Sequence, residues 1–349
     1  MRNIIYISSF DPIDCVDIEN IITFNKHNTK YFFILPFSKF TSFEDRVKMI
    51  KLALNGLNIN YEIDSFLNDR YHDSIDLIEL FKKYHNSGVD NLYLVVYGVK
   101  PTLIDENKLS KINQKLNLFD DNMNYSHDIR TLKSLKTDGQ VIDYIICHNL
   151  YFMKIITRYI SGHRLNHSIS VAKTAYQIAL KNNLIRPDEY FIAGLLHDIG
   201  KHVSVEESLN YMEKYFRSYL DLPSYSYHQF VGAFLAKQLF PNISIDVYKA
   251  ILTHCTGAIN MSPIQKVVYA SDKIEPTRGY DSKFLIESCE KDFNTGFLEV
   301  LFENIQFLGL SAAKEETNNR LTKECAEFYL KNKKIRRDHT KWINLKKKF

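Results

Sequence analysis

Leu195-Leu196-His197-Asp198-Ile199-Gly200-Lys201 closes an apolar run with an imidazole and a carboxylate side by side, at the point where a helix should stop. Adjacent His and Asp side chains can both ligate one divalent metal, and the carboxylate is free to bridge to a second. A lone His-Asp pair is more often a solvated helix end than a ligand pair, so its meaning depends on partners elsewhere in the chain.

Those partners follow helical spacing. Arg164-Leu165-Asn166-His167 opens a segment in which Ile169, Ala172, Ala175, Ile178 and Ala179 recur on one face, which predicts an amphipathic helix with His167 in its first turn. The His-Asp pair closes the next helix, which Asp188 is expected to cap and which buries Phe191, Ile192, Leu195 and Leu196. Tyr227-His228-Gln229 begins a third helix, and Ile245 to His254 forms a fourth that ends at Thr256-Gly257. A fifth starts at Ser262-Pro263, an N-cap with proline in the first turn, and carries Val267, Val268 and Asp272 before Pro276.

Six potential ligands thus come from successive helices: His167, His197, Asp198, His228, His254 and Asp272. Any one of them has a bland explanation as a hydrogen-bonded core residue; the set together does not. His167, His197, Asp198 and Asp272 suffice for one metal, and His228 and His254 argue for two. Two cations about 3.5–4 Å apart would share Asp198 and a bridging hydroxide and neutralise phosphate oxygens, which points to phosphoester or phosphoanhydride hydrolysis. The imidazole-rich set suits Fe first, with Mn, Co or Zn as alternatives, better than Mg.

Residues from about 161 to 310 resemble the bacterial HD-superfamily hydrolases of the YqeK type, which cleave diadenosine tetraphosphate symmetrically to two ADP. The resemblance rests on Arg164 with His167, Ala193 to Lys201, His228 with Val231-Gly232-Ala233, His254-Cys255-Thr256-Gly257, Met261-Ser262, and Tyr269-Ala270-Ser271-Asp272-Lys273-Ile274-Glu275-Pro276-Thr277-Arg278. It implies that the six residues are the metal ligands and that Asp198 and Lys201 serve catalysis. It also implies substrate contacts from Arg164, Lys201 and Arg278, and a substrate-facing loop at Thr256 and Gly257. Cys255 stands where that family usually has threonine. Arg offers phosphate a planar fork and Lys a point charge, although Arg278 could equally pair with Glu275 and Lys201 could be solvated at a helix end.

The N-terminal part reads differently. Asn3-Ile4-Ile5-Tyr6-Ile7, Tyr31-Phe32-Phe33-Ile34-Leu35-Pro36 and Leu92-Tyr93-Leu94-Val95-Val96-Tyr97 read as buried strands, with helical periodicity over Phe43–Leu54 and Ser74–Tyr84. Strands alternating with helices predict a Rossmann-like parallel α/β sheet, with the loop after Ile7 as the binding position. Ser9-Phe10-Asp11-Pro12-Ile13 resembles the first signature of nicotinate-nucleotide adenylyltransferases. Asp14, Val16 and Asp17 occupy the positions of that signature's two histidines and glycine, and Ile7-Ser8 replace the preceding glycines. Two carboxylates repel a triphosphate that imidazoles would contact, and side chains keep backbone away from it. Tyr125-Ser126-His127-Asp128-Ile129-Arg130 retains only one serine and the Ile-Arg of a later phosphate-binding motif. Ser9, Asp11, Asp14, Asp17 and Arg130 therefore mark a degenerate nucleotidyltransferase site, with Asp14 and Asp17 as an alternative metal pair.

The expected organisation is a nucleotidyltransferase-like α/β domain over 1–150, an all-α HD domain over 151–330 and a basic tail over 331–349. The stretch Ile142–Ile160 has no Pro or Gly/Ser run, which predicts a continuous helical junction. The net charge of +4 is local in origin: residues 331–349 hold nine Lys or Arg against one Asp, a balance of +8 that leaves −4 for the rest. That tail carries the single tryptophan, Trp342, and suits weak contact with nucleic acid or an anionic surface, or a frayed terminus. Five cysteines without paired spacing, and no run of about 18 apolar residues, predict a cytoplasmic protein without a membrane span. A dinucleoside polyphosphate is the expected substrate. Two other readings fit the same residues: an N-terminal domain that still adenylylates nicotinate mononucleotide, and a nucleotide-sensing or scaffold protein.

Overall fold

The computed structural model describes residues 2–68, 80, 82–84, 92–97, 116–118, 125–310 and 319–331. The chain divides into two compact units, Met1–Met153 and Lys154–Phe349.

In the first unit the strands are β1 (Arg2–Ser8), β2 (Thr29–Ile34), β3 (Asn60–Asp64), β4 (Leu92–Tyr97) and β5 (Leu116–Leu118). They form one parallel sheet in the order β3-β2-β1-β4-β5, the arrangement of a doubly wound nucleotide-binding fold. Ile4, Ile5, Tyr6 and Ile7 are wholly buried, as expected of a central parallel strand covered on both faces. The helices are α1 (Cys15–Phe24), α2 (Phe43–Ala53), α3 (Tyr125–Arg130) and α4 (Gly139–Cys147). Of the helix expected over Ser74–Tyr84, residues 80 and 82–84 are helical and the others lie outside the described residues.

The junction is not the continuous helix that composition suggests. α4 ends at Cys147, Asn149 and Tyr151 take left-handed φ of 52° and 49°, and only the single turn of α5 (Met153–Ile156) follows. A left-handed residue cannot continue a right-handed helix, so two of them in three positions break the segment.

Among its described residues the second unit is all helical: α6 (Gly162–Lys181), α7 (Pro187–Leu196), α8 (Val205–Tyr215), α9 (Tyr227–Leu239), α10 (Ile245–Thr253), α11 (Pro263–Ile274), α12 (Lys283–Lys291), α13 (Phe293–Leu310) and α14 (Arg320–Leu330). α7 is its central rod, buried from Tyr190 to Leu196. Asp188 does not cap it: Arg186 is the N-cap in a left-handed conformation, Pro187 fills the first helical position, and Asp188 sits in the first turn. There its charge still favours the helix dipole. At α11 the expected start holds, with Ser262 at the N-cap and its backbone N–H donating to Gln265 Oε1 at 2.9 Å.

Close backbone contacts place the His-Asp corner. A Cβ on Gly194 would lie 2.7 Å from Ala172 Cα, so this glycine lets α7 press onto α6. A Cβ on Gly200 would lie 2.5 Å from Gly232 N and 2.7 Å from His228 O, so the turn after Asp198 rests directly on the backbone of α9. Among the described residues no helix is long and apolar enough to cross a membrane. The five cysteines are all free thiols. Of the basic tail, Lys331 alone is described; residues 332–349, Trp342 included, lie outside the described residues.

Gly200→Ala is therefore expected to destabilise the helical unit by about 1–3 kcal/mol, because only backbone stands in the way of the new methyl. Gly309→Ala, with nothing within 4 Å of its new Cβ, should leave stability unchanged or raise it. Chemical denaturation of both variants checks this; equal stability would show that the Gly200–Gly232 contact does not hold the corner.

Candidate metal centre

The structure brings all six expected ligands together. His167 lies on α6, His197 and Asp198 at the end of α7, His228 in the first turn of α9, His254 at the end of α10, and Asp272 in the last turn of α11. α6 begins at Gly162, so His167 sits in its second turn rather than its first. Three overlapping groups each bring one ligand atom per residue to within 4.8 Å of one another: His167, His197 and Asp198; His197, His254 and Asp272; Asp198, His228 and His254. Asp198 Oδ1 is the hub, 3.8 Å from His197 Nε2, 3.5 Å from His228 Nε2 and 3.6 Å from His254 Nε2.

Each imidazole is oriented through its other nitrogen. Nδ1 of His197 donates to Gly194 O, that of His228 to Tyr225 O and that of His254 to Ile251 O, all at 2.7 Å. Nδ1 of His167 donates to Glu275 Oε1 at 2.8 Å. This fixes the tautomer and aims Nε2 inward, the usual outer-shell support of a metal-binding histidine. His197 Nε2 is buried with no hydrogen-bond partner. A buried, unpaired imidazole nitrogen facing carboxylates is what a cation ligand looks like without its cation, so these residues fit divalent metal.

Charge follows geometry. Burial lowers the pKa of His228 and His254, which favours the neutral ligand form. Burial opposes ionisation of Asp198, but His197, His228 and His254 outweigh it and hold the carboxyl well below its usual range. Asp272 is likewise held low against burial, chiefly by Lys273 and Arg278. Burial would lower His167, yet Asp272 and Glu275 raise it to about 9, so a cation there takes the place of a proton.

Above this cluster lies a cavity of about 650 Å³. Arg164 and Lys201 reach it, Arg164 Nη1 standing 3.6 Å from Asp198 Oδ2 and Lys201 Nζ 3.3 Å from both ring nitrogens of His228. Arg278 also lines it, and its guanidinium pairs with Asp272 rather than Glu275. At the expected substrate-facing loop the two named residues point away from the cavity. Thr256 is buried against Gln229, whose Nε2 donates to Thr256 Oγ1 at 3.1 Å, and Gly257 turns at φ 71° against Cys325. Cys255 faces the cavity in their place. Sequence reasoning missed Lys273, Tyr280, Asn304 and Thr322 as lining residues. Adjacency to Asp272 was a signal for Lys273; Thr322, fifty positions from the last ligand, had no local signal.

In the first unit the loop after β1 is filled by its own side chains. Phe10 is fully buried and stacks on Tyr6 at 5.7 Å. Ser9 O accepts from Arg46 Nη1 at 3.0 Å, Asp11 accepts from Tyr151 Oη, and Arg130 donates to Asp11 O while lying over the Phe40 ring. Asp14 and Asp17 form a capping box at the start of α1, Asp14 Oδ1 accepting from the N–H groups of Val16 and Asp17. Both are wholly buried, and neither belongs to a ligand group found among the described residues. Burial raises both carboxyls, and for Asp17 the charge of Asp14 adds to it.

Residues 164–277 match the family model described as HD domain, so the helical unit contains an HD domain. The same chain carries, in its other unit, the five-stranded parallel α/β sheet. A probable nicotinate-nucleotide adenylyltransferase/Ap4A hydrolase of Mycoplasma pneumoniae is 27% identical over 208 residues, 56% of this chain and 58% of that protein. The chain thus spans little more than half the length of that relative. A symmetrical bis(5'-nucleosyl)-tetraphosphatase of Bacillus subtilis is 27% identical over 156 residues, 44% of this chain and 83% of the relative. A crystal structure described as a predicted HD superfamily hydrolase involved in NAD metabolism, from Clostridium acetobutylicum, shares 27% identity, covering 52% of this chain and 98% of its own, with a TM-score of 0.46.

The buried acid pair gives a pH prediction for the first unit. A carboxyl whose folded pKa is raised destabilises the fold in full above that pKa, and the penalty shrinks as pH falls below it and vanishes at the ordinary carboxyl value. Asp17→Asn should therefore raise the melting temperature at pH 8 by about 2–4 °C, and the gain should shrink on acidification. Calorimetry across that range checks it; a lower melting temperature at pH 8 would show that the ionised carboxylate stabilises the fold.

Proposed function

We propose that the helical unit hydrolyses a dinucleoside polyphosphate, diadenosine tetraphosphate to two ADP. The observation that carries this reading is the stacking of two layers in one cavity: six metal-type ligands beneath, and Arg164, Lys201 and Arg278 along its wall. The names of the Mycoplasma pneumoniae and Bacillus subtilis relatives support the substrate.

His167, His197, Asp198, His228, His254 and Asp272 would hold two divalent cations, Fe first and Mn, Co or Zn as alternatives. Bound there, the cations supply Lewis acidity and lower the pKa of water. The protein's own groups do the rest. The Nδ1 hydrogen bonds keep the four imidazoles preoriented, so little reorganisation accompanies reaction. Arg164 and Arg278 grip phosphate oxygens through two-pronged contacts, and Arg278 must turn from Asp272 to do so. Lys201, beside His228, offsets the charge that develops on the departing ADP. The division of labour is between residues 1–150, a degenerate nucleotidyltransferase-like scaffold, and 151–330, the hydrolase, in a cytoplasmic protein.

Adenylyl transfer to nicotinate mononucleotide by the first unit is the alternative that the Mycoplasma relative's name offers. The filled loop after β1 and the capping role of Asp14 and Asp17 weigh against it. A purely nucleotide-sensing protein has no need of six converging ligands.

Anaerobic assays of diadenosine tetraphosphate with Fe(II), Mn(II) or Co(II) test the proposal, with products resolved by chromatography. The wild-type protein should yield ADP alone and His197→Ala should fall to background. Turnover unchanged in His197→Ala, or ATP with AMP as products, would overturn it.

A further inference from the structure

Lys273 lies beside the ligand Asp272 on α11, yet its ammonium also crosses to another helix. Its Nζ donates to Asp272 Oδ2 at 2.9 Å, to His254 O at 2.8 Å and to Cys255 O at 3.4 Å. The stem is packed: Nζ stands 4.3 Å from the centroid of the Tyr269 ring, and the side chain is only 14% exposed. Tyr269 is itself immobilised, fully buried against Phe297 with its hydroxyl accepting from Asn304 Nδ2. His254 is the C-cap of α10 and Cys255 follows it, so their carbonyls lie at the helix C-terminus, where a cation is favourable. One ammonium thereby ties together the ends of two helices, each carrying a metal-type ligand.

The two carboxylate oxygens of Asp272 are consequently divided. Oδ2 is engaged by Lys273, whereas Oδ1 faces His167 Nε2 at 3.1 Å and His197 Nε2 at 3.6 Å. We propose that Lys273 is a positioning residue of the metal centre: it occupies Oδ2 so that Asp272 ligates through Oδ1 alone, and it sets the spacing between Asp272 and His254. This rests on the reading that the six residues bind divalent cations. Arg278, the other cation on Asp272, meets Oδ1 and the backbone carbonyl and cannot substitute for this contact.

The test is Co(II) binding to the full chain, followed by calorimetry and by the visible d–d spectrum. In Lys273→Met, freeing Oδ2 should let Asp272 bind through both oxygens, raising the coordination number and weakening the visible absorption. Co(II) affinity should fall about 10–100-fold, the usual cost of losing an outer-shell partner. Lys273→Arg, which keeps the charge and donors, should recover part of the affinity. Circular dichroism reports on folding, and Lys273→Leu, which likewise offers no donor to Oδ2, carries the same expectation if the methionine variant does not fold. A native spectrum and affinity in the folded variant would overturn the proposal. Weaker affinity with a native spectrum would also overturn it, since a merely structural lysine gives that result. If the wild-type protein takes up no Co(II), the metal reading itself fails, and His197→Ala shows the background for that comparison.

Discussion

The geometry of the helical unit depends on one repeated hydrogen bond, from imidazole Nδ1–H to an oxygen acceptor. At His197, His228 and His254 the acceptor is a backbone carbonyl three residues earlier, and at His167 it is the buried carboxylate of Glu275. A histidine free at χ2 would present either nitrogen to the cavity; these four present only Nε2. With the four rings fixed, Asp198 Oδ1 lies within 4 Å of three of them, and the cluster acquires a centre. The helices had first to come close enough for this, and the backbone contacts at Gly194 and Gly200 allow it.

The two units use buried carboxylates in opposite ways. Asp14 and Asp17 face one another, hydroxyls and backbone N–H groups, so burial raises both pKa values and they serve a helix start. Asp198 and Asp272 are also buried but face imidazoles, Lys273 and Arg278, so they stay ionised and available to a cation. The difference lies in the neighbouring charges, since desolvation acts on all four alike. This contrast supports the proposal that phosphate chemistry belongs to the helical unit and not to the loop after β1.

Much of this was legible in the sequence because the ligands sit on the core faces or at the ends of helices with apolar patterns. Ala172, Ala175, Ile178 and Ala179, all buried with His167, fix which side of α6 it takes, while Ile169 of the same expected face is only half-buried; the apolar run before His197 fixes the end of α7. The parallel sheet was legible for the same reason, its central strand being apolar throughout. Features set by backbone geometry or distant contacts were not. Arg186 in a left-handed conformation displaces Asp188 from the cap, and Asn149 and Tyr151 interrupt the junction, although nothing in composition marks those φ values. Thr256 turns inward because Gln229, on another helix, offers it partners, and Thr322 reaches the cavity from a helix outside the matched domain. Tertiary partners of this kind leave no periodic trace.

Anomalous diffraction from crystals soaked anaerobically in Mn(II) tests the central claim most directly, because it locates cations without reference to any substrate. The account predicts two peaks about 3.5–4 Å apart that share Asp198, one with His167 and His197 and the other with His228 and His254. Density confined to other residues, or no peak among these six side chains, would contradict it.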